Sequence, residues 1–463
     1  MSLRFPLVIA LLATASAALA QSIDARLEQR ARAVAAHASE SDLGYTLVES
    51  LTTEVGPRLA GTEAEERARQ WAVGKLKDLG FSNVRVEPFE LPVWERGVEW
   101  AQISAPFPQP LVVSALGGST ATGPDGVEGE VAAFASVNAL RAAPAENLSG
   151  KIVFIDEVMT RTQDGSGYSV AAGKRREAAY IAEEKGAAAV LIRSVGTSQH
   201  RFAHTGQMRR LTDSSTSDGV PAAALSAPDA DQLQRILARH GSVTLRLVLT
   251  PQQHPAGMSG NVIAEVPGTE AADEIVLVGA HLDSWDLGTG AVDDGAGVGI
   301  VVAAAKQVMD ALPDGPRRTI RVVLFGAEEV GLVGAQAYAL AHADELGKHV
   351  VASESDFGAG RIWRFETGVA EDKIAAAQKL GVVVRGMGAS AGGNSASGGP
   401  DMKYIREAGV PVVGLKQNGW DYFDLHHTPN DTLDKIDPED IAHNVAAWTS
   451  FIYLAANSRE YYR

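Results

Sequence analysis

Histidine and acidic residues recur in this sequence directly after apolar runs, where their side chains could bind a metal ion. His281 and Asp283 follow the run 275–280, and Asp293 follows a glycine-rich turn. The carboxyl ends of buried parallel strands are where ligand sites form in open α/β sheets. The same pattern recurs in three later segments, which add Glu328, Glu329, Asp356 and His427.

Imidazole and carboxylate without thiolate define the metals that such a cluster would bind. The chain has no cysteine, and His, Asp and Glu ligands suit zinc better than manganese or cobalt. The five candidate ligands exceed the four of a tetrahedral zinc, so we expect two ions sharing one carboxylate. Three carboxylates and one bridging hydroxide would balance the four positive charges of two divalent ions. The candidate ligands are His281, Asp293, Glu329, Asp356 and His427.

The chemistry that such a paired site performs is metal-assisted hydrolysis of an acyl bond. A hydroxide bridging the two ions would be the nucleophile, and one ion would polarise the carbonyl under attack. One of the adjacent Glu328 and Glu329 would be free to act as general base, and Asp283 would hydrogen-bond the second ring nitrogen of His281. From residue type alone, Glu328 and Glu329 are interchangeable in these roles, and His426 and His427 are interchangeable as the ligand.

The simpler alternative for each residue is a structural role. A lone histidine after a strand is more often a hydrogen-bonded core or surface residue than a metal ligand. Aspartate in a glycine-rich turn usually serves the turn, and a pair of surface glutamates is common. The repetition of one pattern at several strand ends favours a site.

The second half of the chain alternates strands and helices, which predicts the fold class. Apolar strands are expected at 275–280, 319–325, 349–353 and 410–415, with helices at 297–312 and 438–455. This alternation predicts an α/β fold with a mixed, mostly parallel sheet and helices on both faces. The sequence before residue 109 adds helices at 41–51 and 62–79, the second opened by a capping pattern at Thr62, and a strand at 84–91.

Residues 109–251 differ in character from their surroundings. Short strands are expected at 127–134, 151–155, 187–192 and 243–249 around a helix at 171–185. His200 and His204 lie in a polar loop, where they are expected to be loop residues rather than ligands. The segment is therefore predicted to be a self-contained insert without catalytic residues, between two parts of a main domain, 21–108 and 252–463.

The first 20 residues and the overall charge indicate where the protein acts. Arg4 precedes an apolar stretch that ends in small residues at Ala20, which predicts a secretory signal peptide cleaved after Ala20; an uncleaved anchor is the alternative. No later segment has the apolar length of a membrane span. A formal net charge of -16 argues against nucleic acid or an anionic membrane as partner. We expect a secreted or periplasmic protein.

Several motifs together resemble one family. HLDSWDLGTGAVDDGAG, FGAEEVGL, SESD and FDLHHTPNDTLDKIDPED occur in this order and are similar to the M28 family of zinc metallopeptidases, especially its carboxypeptidase Q branch. The stretch KGAAAVLIRSVG resembles the protease-associated domain that this branch carries. The resemblance implies a zinc aminopeptidase-like fold with a protease-associated domain at 109–251, homodimers, and cleavage of dipeptides or short peptides with free termini.

The resemblance also implies the roles that residue types leave open. It implies that Asp293 bridges two Zn2+ ions, that His281 and Asp356 complete one site and Glu329 and His427 the other, and that Glu328 is the base. It places the glycine- and serine-rich segment 386–399, whose composition suggests a mobile loop, near the substrate pocket. Neither the residues nor the resemblance identifies what holds the substrate termini.

Two other functions remain compatible with the sequence. A glutaminyl-cyclase-like acyltransferase would be expected to bind one zinc rather than two. A non-catalytic receptor or binding protein on the same fold would be expected to lack some ligands, whereas all five ligands and the base are present here. The leading expectation is an exported dizinc exopeptidase of the carboxypeptidase, aminopeptidase or dipeptidase type.

Overall fold

The structure is a computed structural model that describes residues 24–209 and 217–463. The predicted signal peptide, 1–20, lies outside these residues. Within the two described ranges we find no helix both long and apolar enough to span a bilayer.

Helices and strands alternate through most of the described chain. The helices are α1 (Ala25–Ala38), α2 (Leu43–Glu54), α3 (Glu63–Asp78), α4 (Val137–Ala142), α5 (Ser166–Glu184), α6 (Ala227–His240), α7 (Ala296–Ala311), α8 (Val333–Ala341), α9 (Ile374–Gln378), α10 (Val382–Gly386), α11 (Lys403–Glu407), α12 (Tyr422–Leu425) and α13 (Pro438–Asn457). The strands are β1 (Ser82–Glu95), β2 (Glu99–Ala105), β3 (Gln109–Leu111), β4 (Val113–Ala115), β5 (Val127–Phe134), β6 (Ile152–Ile155), β7 (Ala189–Arg193), β8 (Ala222–Leu225), β9 (Thr244–Leu249), β10 (Gln252–Val266), β11 (Ala271–His281), β12 (Arg318–Phe325), β13 (His349–Glu354), β14 (Ile362–Gly368), β15 (Ser390–Ala391) and β16 (Val412–Gln417).

The larger structural unit is built on a mixed eight-stranded sheet with strand order β1-β10-β12-β11-β13-β16-β14-β15. The four central strands, β12, β11, β13 and β16, run parallel to one another. Their carboxyl ends therefore lie at the same edge of the sheet. The antiparallel pairs β1–β10, β10–β12 and β14–β16 extend the sheet on both sides.

Apolar side chains alternate between the two faces of this sheet, so each face packs against helices. On β11, Val276 and Val278 belong to the large core that includes α7 and α13. Ile275 and Leu277 belong to a separate core on the opposite face, which includes Tyr338 of α8. Burying one such side chain contributes about 1.5–3 kcal/mol. Helices on both faces were predicted, and the mixed α/β fold is confirmed.

The second sheet, also eight-stranded, has the order β3-β2-β9-β5-β6-β7-β8-β4 and includes the segment predicted to be an insert. The first strand of this sheet in chain order, β2, pairs antiparallel with β9. Glu99 lies opposite Leu249, and Ala101 lies opposite Leu247. The sheet therefore begins at Glu99, ten residues before the predicted boundary at 109. The short stretch 96–98 after β1 gives no compositional signal for this change of sheet.

The glycine- and serine-rich segment 386–399 forms the outer edge of the first sheet. Its short strand β15 pairs with β14, and Asn394 accepts a hydrogen bond from the main-chain N–H of Val369 and one from Thr367 Oγ1. Thr367 N–H also donates to the Gly393 carbonyl, at 3.0 Å. The resemblance placed this segment near the substrate pocket; the residue directly after it, Pro400, lines the main cavity, and residues 386–399 themselves do not.

Candidate metal centre

The predicted site residues converge at the carboxyl edge of the parallel strands. His281 ends β11, Glu328 and Glu329 follow β12, and Asp356 follows β13. The loop after β16 leads through α12 to His427. Asp293 lies in the tight turn Ala291–Gly295 that precedes α7. Strand order thus brings residues 146 positions apart in sequence into one cluster, as the sequence pattern predicted.

His281 and two carboxylates form the first half of the cluster. His281 Nε2 lies 3.1 Å from Asp293 Oδ1 and 3.6 Å from Asp356 Oδ1. His281 is 1% exposed. Burial lowers the pKa of His281, but the carboxylates of Asp283, Asp293 and Asp356 outweigh it and raise the pKa well above its usual value. A cation bound here would neutralise the crowded carboxylates and could use His281 Nε2 as a ligand.

Asp293 also faces the second half of the cluster. Its Oδ2 lies 3.4 Å from His427 Nε2, and the same nitrogen lies 2.9 Å from Glu329 Oε2. Asp293 therefore contacts the histidines of both halves, the position expected for a shared ligand. Burial, the charge of His426 and the nearby Arg175 hold the pKa of His427 well below its usual range, which favours the neutral, metal-binding imidazole.

The donor set fits divalent cations. Three groups of buried or half-buried side chains place ligand atoms within 4.8 Å of one another, and Asp293 occurs in two of them. Asp293 Oδ2 and Glu329 Oε1 are buried without a hydrogen-bond partner among the described residues, and unpartnered buried acceptors are costly unless a cation binds them. The three groups are Asp293 with His426 and His427, His281 with Asp293 and Glu329, and His281 with Asp294 and Asp356.

Two residues next to predicted ligands also enter these groups. Asp294 accepts hydrogen bonds from the main-chain N–H groups of His281 and Gly297, at 3.2 and 3.0 Å, so both of its oxygens already have partners. His426 stacks on His427 with ring centroids 3.5 Å apart, and its Nε2 lies 3.7 Å from Asp293 Oδ2. His427, whose Nε2 is 2.9 Å from Glu329, is the better placed of the two histidines.

Asp283 contacts the second ring nitrogen of His281 through its main chain rather than through the expected carboxylate. His281 Nδ1 lies 2.9 Å from the main-chain carbonyl of Asp283, whereas the Asp283 carboxylate is 3.7 Å away, beyond hydrogen-bond distance. That carboxylate instead accepts from the main-chain N–H groups of Glu328 and Glu329, at 3.0 and 3.3 Å. The short side chain cannot reach back to the ring while it holds the neighbouring turn. Asp283 therefore orients His281 through its backbone and the two glutamates through its side chain.

Glu328 lies on the cavity side of this cluster. It is half-buried and lines the cavity, whereas Glu329 is buried against His427. Burial, followed by the charges of Asp356 and Asp401, raises the pKa of Glu328 well above its usual value. Ala327, just before it, has φ +58°, a left-handed conformation that costs a non-glycine residue about 1–3 kcal/mol. That turn directs successive carboxylates to different sides.

Arg58 is a residue of the site that sequence reasoning missed. It lies in the loop 56–62, between the helices predicted at 41–51 and 62–79. The Arg58 side chain is fully buried and donates to the carbonyls of Leu282, Thr289 and Gly290, at 2.5, 2.7 and 2.8 Å. These carbonyls belong to the loop between His281 and Asp293. An arginine in a glycine-rich loop gives no periodic signal that would have identified this role.

Asp431 supports the same turn from the other side. Its carboxylate accepts from the main-chain N–H groups of Val292 and Asp293, at 2.6 and 3.2 Å. Burial and the Asp293 charge raise the pKa of Asp431 to about 7. The motif containing Asp431 was noted in the sequence, but only its histidines were interpreted.

The second sheet contributes to the centre, which the prediction of a self-contained insert did not include. His427 Nδ1 lies 3.2 Å from the Thr205 carbonyl, and His204 Nδ1 lies 2.8 Å from the His426 carbonyl. His204 is buried and does not belong to the ligand groups found among the described residues. Main-chain carbonyls carry no residue-type signal, so these contacts could not be read from sequence.

A cavity of about 920 Å3 opens onto the cluster between the two units. This volume suits a small organic or peptide ligand. The first unit lines it with Asp293, Glu328, Glu329, Asp356 and His427, together with the apolar stretches 91–94 and 330–333. The second unit lines it with residues of α5 and of the loop 207–209.

The fold and the site together define a metal-dependent hydrolase built on a mixed α/β sheet. A model described as Peptidase family M28 matches residues 261–452. Carboxypeptidase Q from Bos taurus is 32% identical over 426 residues, which cover 90% of this chain and 86% of the bovine protein. Carboxypeptidase Q from Homo sapiens is 32% identical over 431 residues, 92% and 88% of the two chains. The chain belongs to peptidase family M28.

Two solved structures extend this likeness. A peptidase M28 precursor from Shewanella amazonensis SB2B is 51% identical and has a TM-score of 0.91, covering 94% of this chain and 98% of its own. A zinc aminopeptidase from Bacillus subtilis is 22% identical with a TM-score of 0.63, over 90% and 95% of the two chains, and shares the fold. The resemblance to the family that the motifs indicated is confirmed, and the chain is a peptidase.

Proposed function

We propose that this protein is an exported, dizinc exopeptidase or dipeptidase that hydrolyses short peptides with free termini. The observation that carries the proposal is the position of Asp293, which lies 3.1 Å from His281 and 3.4 Å from His427 in the two halves of the cluster. Asp293 would be shared by both ions. His281 and Asp356 would complete one site, and Glu329 and His427 the other.

The residues of the chain divide the chemistry between them. Two zinc ions bound there would supply an activated water and polarise the scissile carbonyl. Glu328, half-buried in the cavity beside the ligand carboxylates, would accept a proton from the attacking water and deliver it to the leaving amine. The Asp283 carboxylate would fix the turn that carries Glu328. The Thr205 carbonyl would fix the ring of His427. The cavity walls would exclude bulk water from the bond being cleaved.

The remaining parts of the proposal rest on the sequence and on the relatives. The second sheet would be a protease-associated domain inserted between the two peptidase parts, with the first 20 residues acting as a signal peptide that directs the protein to the periplasm or outside the cell. The relatives named carboxypeptidase Q support cleavage at a free C-terminus. A homodimer is the expected assembly.

Metal content and peptide hydrolysis of the purified protein test this function together. We expect two zinc ions per chain and cleavage of small dipeptides that is lost on chelation and restored by zinc. Glu328→Gln should keep both ions but lose turnover by about 100-fold or more, because it lacks the proton acceptor. Loss of zinc in that variant would mean that Glu328 is a ligand and Glu329 the base. Absence of both metal and activity, after zinc is resupplied, would support a binding protein instead.

A further inference from the structure

The part of the cavity wall that the second unit provides contains a group of arginines that the proposed chemistry does not use. Arg175 and Arg176 lie on α5, and Arg209 follows the loop that holds His427. Neither Arg175 nor Arg176 forms an ion pair with a described carboxylate. Asp218 also lines this wall, and it already has an interaction partner. In a chain of net charge -16, this group of positive charges facing a cavity is unusual.

Arg175 is the most strongly buried of these arginines, with 5% of its surface exposed. Its Nη2 donates to the Tyr168 hydroxyl at 2.5 Å, and its guanidinium lies 5.3 Å from the centre of the Tyr168 ring. Its Nε and Nη1 have no hydrogen-bond partner among the described residues. A buried guanidinium with two unused donors is costly unless an acceptor binds to it. The unpartnered Nε and Nη1 of Arg175 therefore favour an anionic ligand in the cavity.

Gly206 places this guanidinium beside the Nδ1 edge of His427, across the imidazole ring from Nε2, the nitrogen that faces Asp293 and Glu329. A Cβ on Gly206 would lie 2.5 Å from Arg175 Nη1 and 2.7 Å from His427 Nδ1, so the two side chains are neighbours across the glycine. Standard bond lengths place the carboxylate of the residue after the scissile bond about 4 Å from the reacting carbonyl carbon. A carboxylate that binds beside His427 would therefore belong to a substrate with one residue on the leaving side.

We propose that Arg175, assisted by Arg176, binds the free C-terminal carboxylate of the peptide substrate and so selects dipeptides and C-terminal residues. This inference rests on the proposed peptidase function, which supplies the scissile bond at the metals. Arginine is suited to this task because its planar fork binds a carboxylate with two parallel hydrogen bonds. The second unit would thus contribute substrate selection, while the first unit contributes the reaction.

The test compares three substrates: Ala-Ala has a C-terminal carboxylate, Ala-Ala-amide has no carboxylate, and Ala-Glu-amide has only a side-chain carboxylate. With the zinc-loaded full-length protein, we expect kcat/KM to be about ten- to hundredfold higher for Ala-Ala than for Ala-Ala-amide. Arg175→Gln should lower kcat/KM for Ala-Ala by a similar factor, mainly through KM, and should reduce the preference over the amide at least tenfold. Arg235→Gln, an exposed arginine on α6, is the matched control and should keep the preference.

Two further variants protect the test against misfolding of Arg175→Gln. Arg175→Lys keeps the charge with fewer donors and should show an intermediate preference. Arg176→Gln changes a half-buried side chain and should reduce the preference several-fold with normal zinc content. An unchanged preference in all three arginine variants would refute the carboxylate site while leaving the peptidase function intact. If kcat/KM for Ala-Glu-amide equalled that for Ala-Ala, the site would bind a side-chain carboxylate and the proposal would be refuted. If none of the three substrates were cleaved in a zinc-dependent way, the peptidase function itself would be refuted.

Discussion

Arg58→Met tests whether the buried arginine holds the loop that carries the metal ligands. The substitution keeps an unbranched apolar side chain but removes the donors to Leu282, Thr289 and Gly290. Each buried carbonyl left without a donor costs about 1–3 kcal/mol. Because these costs are not additive and the loop can relax, we expect a total loss of about 3–5 kcal/mol of unfolding free energy.

Loss of Arg58 should also weaken zinc binding, since the affected loop joins His281 to Asp293. Burial lowers the pKa of Arg58, but the nearby carboxylates of Asp431, Asp283 and Asp294 raise it in part, and these carboxylates would lose their counter-charge. Urea unfolding of the zinc-loaded and zinc-free proteins, with zinc content measured in parallel, gives both quantities.

A matched arginine separates this effect from a general loss of charge. The Arg361 side chain is 54% exposed, and its guanidinium lies 2.6 Å from Asp440, so Arg361→Met should change stability by less than about 1 kcal/mol. An Arg58→Met protein that retained the unfolding midpoint of the parent and two tightly bound zinc ions would refute the reasoning, because the three carbonyls would then need no buried donor.

Three further perturbations test other parts of the site and fold. Asp293→Ala should lower zinc occupancy at both positions, because the shared ligand serves both ions; full occupancy by elemental analysis would contradict the sharing. Gly206→Ala should lower kcat/KM at least tenfold, because its methyl group would collide with Arg175 and His427, whereas Gly388→Ala, also at positive φ but in open space, should not. Burial lowers the pKa of His349 to about 4, so the unfolded state takes up a proton first as pH falls below about 6.5; stability should fall by about 2 kcal/mol between pH 7 and 5, and His349→Gln should lose this part of the pH dependence in urea titrations.

The ligands could be predicted because they sit at ends of strands whose burial is encoded in the sequence. The strand predicted at 319–325 is observed as Arg318–Phe325, and the helix predicted at 297–312 as Ala296–Ala311. Continuous β-branched and apolar runs have one stable solution, a strand covered on both faces. Once the strands are parallel, their carboxyl ends meet, so His281 and Asp356 had to be close. The capping pattern at Thr62 was likewise observed, with its side chain accepting from Glu65.

What the sequence did not reveal is carried by main-chain atoms and by contacts between the two units. The carbonyls of Asp283 and Thr205 hold His281 and His427, and any residue type could have supplied them. The change of sheet at Glu99 is set by pairing with β9, about 145 residues later in the chain, which no local pattern encodes.

The arginines on α5 show how a charge acquires a function only through the fold. In the sequence, Lys174, Arg175 and Arg176 form a basic run within a helix and would ordinarily be a solvated face. In the structure, Lys174 is fully buried with its pKa lowered to about 7 by burial, and Arg175 points toward the cavity beside His427. Lys174 is buried within the second unit against the Glu157 carbonyl, and Arg175 and Arg176 line the cavity wall. The same contacts that dock the second unit on the first therefore also place its arginines where a substrate carboxylate would lie, so weakening that docking should reduce substrate preference before it reduces zinc content.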